Sequence, residues 1–219
     1  ISARRHAMEN VFSKAVEAIA ANATLIRPPS EMLRELAKAD EITTCYGSAS
    51  YITAIRSRSA KFTEIVFEPS EQDRETFAGV ASYLKGKELV SIDRIMCMKQ
   101  GYRTAIRFYV TKRFARLAYM WGKMLFVPEN PVESPEFSIV DVPEWPERKI
   151  LVDPTSFTTF ILGSDYCGEV KKAGLRMMMY AHKKRRGGLG LHAGSKVLRV
   201  LDAGSGRLVE KGMLLFGLS

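Results

Sequence analysis

The sequence predicts an α/β fold with helices packed on a mixed β-sheet. Two observations carry this expectation. Segments with apolar residues at helical spacing alternate along the whole chain with short runs rich in β-branched and aromatic residues. The 219 residues are also enough for one substantial core, and the sequence carries no internal repeat or low-complexity tract. Residues 1–219 are therefore expected to form a single domain.

The elements follow in order. Met8, Val11, Phe12, Ala15, Val16 and Ile19 fall on one face of a helix, with Glu9, Lys14 and Glu17 elsewhere on the wheel. After Pro28-Pro29, Ser30 is placed to cap a second helix through about Ala39, turning Met32, Leu33 and Leu36 inward. From Cys45 the composition shifts to β-formers, and 49–56 and 62–67 read as strands around the polar run Ser57-Arg58-Ser59-Ala60-Lys61. A helix over 73–84 precedes two strands, 89–98 and 102–110, joined as a hairpin around Gln100-Gly101. Residues 112–123 draw as a helix with Phe114, Leu117, Ala118 and Trp121 on one side, whereas the Pro- and Glu-rich stretch 128–146 reads as a surface excursion. Strands near 149–152 and 157–162, a helix over 168–182, and strands near 196–201 and 212–216 complete the pattern. Met177, Met178, Met179 and Tyr180 read as core filling.

The chain carries 33 Lys+Arg against 24 Asp+Glu, a net charge of +9, which favours anionic partners: nucleic acid, phosphorylated metabolites or dicarboxylates. Cys45, Cys97 and Cys167 are scattered without a C-x-x-C pair. That pattern argues against a disulfide framework or a thiolate zinc site and fits a reducing cytosol. No apolar run is long enough to cross a bilayer, and Arg4-Arg5-His6 leads into an amphipathic segment where a signal peptide needs a continuous apolar one. A soluble, cytoplasmic protein without a membrane partner is expected, with Ile1 marking a trimmed amino end.

Lys171 and Lys172 are predicted in the first turn of their helix, where the positive end of the dipole disfavours cations by ~0.3–1 kcal/mol. Two solvated lysines on a surface helix would account for them. So would an anion on which both ammonium groups and the helix start converge, with Gly168 letting backbone N–H groups approach closely. His192 stands alone among glycines and apolar residues, a setting that suits a structural histidine as well as a ligand. Arg58 carries the planar guanidinium that grips a carboxylate or phosphate in two places. Lys183-Lys184-Arg185-Arg186 has no interleaved aromatics on which bases could stack, which disfavours nucleic acid. At the carboxyl end, Met213-Leu214-Leu215-Phe216 reads as a strand entering Gly217-Leu218-Ser219. This is how some phosphate-binding loops begin, and the remaining glycines, lysine and threonine of such a loop would lie downstream.

Taken in order, Arg58-Ser59-Ala60-Lys61, Tyr166-Cys167-Gly168-Glu169-Val170-Lys171-Lys172, His192 and the strand into Gly217-Leu218-Ser219 resemble the ATP-dependent phosphoenolpyruvate carboxykinases. The likeness is strongest from Lys149 to Ser219. The heptapeptide follows that family's Tyr-x-Gly-Glu-Met-Lys-Lys signature with Val170 in place of Met. Ala60 stands where the family usually has proline, and Ala193-Gly194-Ser195 where Cys-Ser-Ala is more familiar, so the resemblance is to a divergent branch, archaeal in style.

The resemblance implies the N-terminal substrate-binding domain of a longer enzyme, followed by its own C-terminal nucleotide-binding domain. It implies a gluconeogenic reaction in which oxaloacetate and ATP give phosphoenolpyruvate, carbon dioxide and ADP, with Mn2+, Mg2+ and ATP as cofactors. It further implies Lys171 as the ammonium group facing the enolate, Lys172 and His192 as manganese ligands, and Arg58 as the grip on a substrate carboxylate. Tyr166 and Gly168 would contact substrate, and Gly217 and Ser219 would belong to the nucleotide-facing loop. Two other classes stay open: a P-loop protein kinase of the phosphocarrier-kinase type, and a basic nucleic-acid-binding module. Neither accounts for Arg58 or Tyr166.

Overall fold

In the computed structural model, residues 10–55 and 59–217 are described. The chain divides into two compact units, Ile1–Met177 and Met178–Ser219. The strands are β1 (Thr24–Ile26), β2 (Ile42–Thr43), β3 (Ala49–Ser50), β4 (Thr63–Ile65), β5 (Glu88–Met96), β6 (Thr104–Thr111), β7 (Phe137–Val142), β8 (Lys149–Asp153), β9 (Thr158–Leu162), β10 (Gly194–Leu201) and β11 (Leu208–Leu215). The α-helices are α1 (Val11–Asn22), α2 (Leu33–Ala37), α3 (Ser59–Phe62), α4 (Glu71–Leu84), α5 (Ala115–Gly122) and α6 (Cys167–Arg186).

Seven strands of the first unit form one mixed sheet in the order β1-β5-β6-β7-β9-β8-β4, so the α/β class expected from the sequence is observed. The pairs β1/β5, β6/β7, β7/β9 and β4/β8 are parallel; β5/β6 and β8/β9 are antiparallel. Because successive side chains on a strand point to opposite faces, the inner strands contribute to two cores. On one face, Leu89, Tyr109, Val140, Val142, Leu151, Phe160 and Leu162 pack with Phe12, Ala15 and Ile19 of α1 and Phe77, Val80 and Leu84 of α4. Phe12, Phe77 and Phe160 meet there, with ring centroids 4.6 to 6.0 Å apart. On the other face, Trp121 of α5 lies 5.3 Å from the Phe108 ring. Gly174 of α6 comes against Ile106 on that same face.

Local chemistry sets where the helices start. Asn10 caps α1, its Oδ1 accepting from the N–H groups of Phe12 and Ser13, while its Nδ2 donates to Asp153 Oδ2 at 2.6 Å. The cap therefore also fixes α1 to the end of β8. Ser70 and Asp73 form a reciprocal capping box on α4.

Three expectations are corrected. The stretch 128–146 is not wholly a surface excursion: it contains β7, a buried strand between β6 and β9, because the run Phe137-Ser138-Ile139-Val140-Asp141-Val142 outweighs its flanking prolines. Ser30 does not cap the second helix. Its segment breaks into a 3₁₀ turn, α2 and a second 3₁₀ turn, leaving Met32 exposed while Leu33 and Ala37 are buried, and Ser30 Oγ accepts from Arg94 instead. Of the strand expected over 49–56, only Ala49–Ser50 forms a ladder among the described residues. Arg58 lies outside the described residues.

In the second unit, β10 and β11 pair antiparallel from Gly194↔Leu215 to Leu201↔Leu208. Asp202 organises their turn, accepting from Ser205 N and Oγ at 2.8 and 2.7 Å, which holds its carboxyl below its usual range.

The aromatic cluster makes one expectation quantitative. Phe160→Ala should cost about 3–5 kcal/mol in urea unfolding, whereas Tyr46→Ser, at a side chain 93% exposed, should stay within about 0.5 kcal/mol. Asp141 gives a second. It is 1% exposed, and both carboxylate oxygens lack a hydrogen-bond partner among the described residues. Burial, then the carboxylates of Glu144, Asp165 and Glu169, push its pKa well above the ordinary 3.8. The stability this group contributes is complete below its unfolded pKa and is lost as pH rises through the higher folded value. Asp141→Asn should abolish that loss, so its stability advantage over the parent should grow by up to about 1.4 kcal/mol per pH unit from pH ~4 upward. A pH-independent difference in denaturation midpoints would refute it.

Candidate active site

After β9, Ser164 and Asp165 carry the chain, fully buried, to Tyr166 and α6. Asp165 acts as a junction. Its Oδ2 accepts from Arg116 Nη2 at 2.7 Å and from Ala54 N at 2.8 Å, and its Oδ1 from Ile55 N at 2.6 Å. Arg116, 5% exposed, donates through Nη1 to Asp40 at 2.7 Å, so a buried cation links two carboxylates. Ile55, held in this way, stands three positions before Arg58 in the sequence.

The first turns of α6 place the motif residues. Val170 and Ala173, spaced to share a helix face, are 0% and 1% exposed and fix the helix on the sheet. Lys172 Nζ donates to Glu169 Oε1 at 2.7 Å and lies 5.6 Å from the centroid of the Tyr166 ring. Gly168 is required by this packing: a Cβ there would fall 2.5 Å from Tyr166 Cε1 and Cζ. Tyr166 is 40% exposed and Lys171 is exposed. The ring, the ammonium of Lys172 and the backbone of Gly168 thus come together at the start of one helix.

Contrary to the expectation from the sequence, Lys171 and Lys172 do not lie in the first turn of their helix. The helix begins at Cys167 and carries Glu169 in its first turn, so Lys171 and Lys172 fall in the second turn, where the dipole field has largely faded. Lys172 is placed by Glu169 instead. The basic run Lys183 to Arg186 lies in the last turn of α6, where cations complement the negative helix end.

The acidic groups under α6 were not singled out from the sequence. Glu169 is 1% exposed, and its Oε2 has no hydrogen-bond partner among the described residues. Asp141 projects from β7 toward the same side of the sheet as α5 and α6, since its neighbours Val140 and Val142 belong to the opposite core. Thr159 Oγ1 and Arg176 Nη1 are likewise buried without partners. Burial lowers the Arg176 pKa against the pull of Glu169. It also pushes the Cys167 thiol up to about 11, with the Asp141 charge adding and Lys171 opposing, so Cys167 is a thiol at neutral pH and no ready nucleophile. The available signal was an acidic residue inside an apolar strand, Val140-Asp141-Val142, and again at Ser164-Asp165 beside a buried strand.

His192 is exposed in the segment between α6 and β10 and belongs to the second unit, whereas Lys172 belongs to the first. Gly217 is exposed after β11, and Ser219 lies outside the described residues. Among the described residues, no three His, Cys, Asp or Glu side chains cluster as a metal site, and no helix is long and apolar enough to cross a membrane.

Comparison with known proteins agrees with this motif. A phosphoenolpyruvate carboxykinase from Aeropyrum pernix, described as the ATP type, is 31% identical over 215 residues, which is 97% of this chain and 43% of the relative. The chain thus spans less than half the length of the relative it matches. The phosphoenolpyruvate carboxykinase profile of the ATP type matches residues 22–219, the region that holds the sheet, the Asp165 junction and α6, and the chain belongs to the phosphoenolpyruvate carboxykinase family.

Proposed function

We propose that this chain is the substrate-binding half of a cytoplasmic phosphoenolpyruvate carboxykinase that converts oxaloacetate and ATP to phosphoenolpyruvate, carbon dioxide and ADP. The observation that carries the reading is the packing of Lys172 against Glu169 and over the Tyr166 ring, above Gly168. The free, scattered cysteines support a reducing compartment.

In this reaction the bond between C3 and the C4 carboxyl group of oxaloacetate breaks. Its electron pair moves into the C2–C3 enolate, and the enolate oxygen then takes the γ-phosphoryl group as ADP leaves. Two needs follow: the departing carboxylate must be oriented, and charge growing on the C2 oxygen must be stabilised. Arg58 is assigned the first role. The anchoring of Ala54 and Ile55 by Asp165 supports it, since that contact ties the segment leading to Arg58 to the residue before Tyr166. Lys171, exposed next to Lys172 in the sequence, is assigned the second. The Tyr166 hydroxyl and the Gly168 N–H are offered to the substrate carboxylates.

A divalent cation, Mn2+ as the resemblance implies, is assigned to the Lys172 amine and the His192 imidazole, nitrogen donors that suit a transition metal better than Mg2+. The buried, unpartnered Glu169 Oε2 supports a cation in this region. When bound, the ion supplies Lewis-acid stabilisation of the enolate oxygen. Lys172 must give up a proton before its nitrogen can coordinate, so Glu169, now bonded to it, sets how readily the site loads. Gly217 and Ser219 are assigned to the loop that faces ATP and its Mg2+.

With oxaloacetate, ATP and Mn2+, the full-length enzyme should lose about 10²–10³-fold in kcat on Lys172→Ala or His192→Ala. Manganese dependence unchanged in both variants would remove these ligands from the proposal. Gly168→Ala should displace the Tyr166 ring, raising KM for oxaloacetate about tenfold with the circular dichroism spectrum preserved; an unchanged KM would show that the ring takes no part in substrate binding.

A further inference from the structure

The candidate active site leaves one buried charge unexplained. Arg94, on β5, is 5% exposed. Its Nε donates to the Gly122 carbonyl at 2.9 Å, Nη1 to the Asp93 carbonyl at 2.7 Å and Nη2 to Ser30 Oγ at 3.0 Å. All three acceptors are neutral, and Arg94 makes no ion pair among the described residues. The adjacent Asp93 carboxylate is engaged by Arg107 through Nε and Nη2, at 2.7 and 2.9 Å. Burying a cation without a counterion costs several kcal/mol, and burial accordingly lowers the Arg94 pKa, with the Asp93 charge opposing. The end of α5 makes room for this guanidinium: a Cβ on Gly122 would fall 2.9 Å from Arg94 Nη2.

Arg94 also opens onto a surface groove of about 530 Å³, lined by Arg27, Pro28, Pro29, Ser30, Arg94 and Pro128. Both Nη atoms keep a second hydrogen, and Ser30, which accepts from Arg94, keeps its own hydroxyl hydrogen to donate. These donors share the groove with the exposed Arg27. Two carboxylates also line it, Glu31 at the exposed rim and Asp93, already paired with Arg107. That balance suits one anionic group and disfavours a polyanion.

We propose that this groove binds a small organic oxyanion, its carboxylate or phosphate on Arg94 and Ser30, its charge completed by Arg27, and its body against the three prolines. The groove shares no lining residue with the site around Tyr166 and Lys172, so this inference stands or falls separately from the proposed reaction. Arg94 is the counter-charge, and Ser30 and Arg27 set the affinity.

Isothermal titration of the intact protein with inorganic phosphate and, separately, with succinate tests it, the stronger ligand telling phosphate from carboxylate. Saturable binding is expected. It should weaken at least about tenfold in Arg94→Met and about threefold in each of Ser30→Ala and Arg27→Ala, and persist in Lys171→Ala and Lys172→Ala. The two last groove variants decide the matter even if Arg94→Met does not fold, because neither side chain is buried. Absence of saturable binding by either anion, or binding lost with Lys171 or Lys172 and indifferent to Ser30 and Arg27, would overturn the proposal.

Discussion

Asp165 takes hydrogen bonds from Arg116, Ala54 N and Ile55 N while only 1% exposed, and the geometry of the candidate site depends on that convergence. The side chain joins the end of β9, the start of α5 and the segment that precedes Arg58. A carboxylate so placed is stabilised by a charge-assisted bond and two backbone donors, whereas removing it would strand the Arg116 charge between Asp40 and nothing. The consequence reaches α6 directly, because Tyr166 follows Asp165 in the chain. Rigidity at the junction passes to the ring that packs over Gly168.

The two faces of the sheet contribute differently. The α1/α4 side is apolar, with three phenylalanines, Tyr109 and aliphatic side chains from the sheet, and it carries the hydrophobic stabilisation of the first unit. The α5/α6 side mixes Trp121, Ile106 and Phe108 with Asp141, Thr159, Glu169 and Arg176, several of whose polar atoms are buried without partners among the described residues. Unpartnered buried polar atoms weaken a fold. Their concentration beneath the helix that bears the family motif is the departure from packing rules that functional sites show.

Much of the fold was legible in the sequence. The apolar spacing of Phe12, Ala15 and Ile19 and of Leu117, Ala118 and Trp121 gave helices whose buried faces are the observed ones, and β5, β6, β8 and β9 fall where β-formers cluster. β7 was hidden because prolines and glutamates on either side diluted a six-residue strand with four apolar side chains, and composition over a window cannot see a strand buried on both faces. The Tyr166 to Lys172 string marked the candidate site. The charges beneath it were not legible: Asp141, Asp165 and Arg116 are far apart in sequence, and only the pairing of β7 with β9 and the packing of α5 bring them near α6.

The spacing within the motif has a physical reading of its own. On a helix, residues three apart share a face, so Val170 and Ala173 turn to the core together while Glu169 and Lys172 meet side by side. Tyr166, one such step before Glu169, accepts through its carbonyl from the Glu169 N–H at 2.9 Å and lays its ring back across Gly168. Gly168 must be small for the ring to lie there, and Glu169 must be acidic to hold Lys172. Lys171, one residue off that face, is left exposed. The seven positions therefore encode a single arrangement in which one lysine is restrained by a carboxylate and an aromatic ring and its neighbour is free of the core, which is the asymmetry that separate roles for the two lysines require.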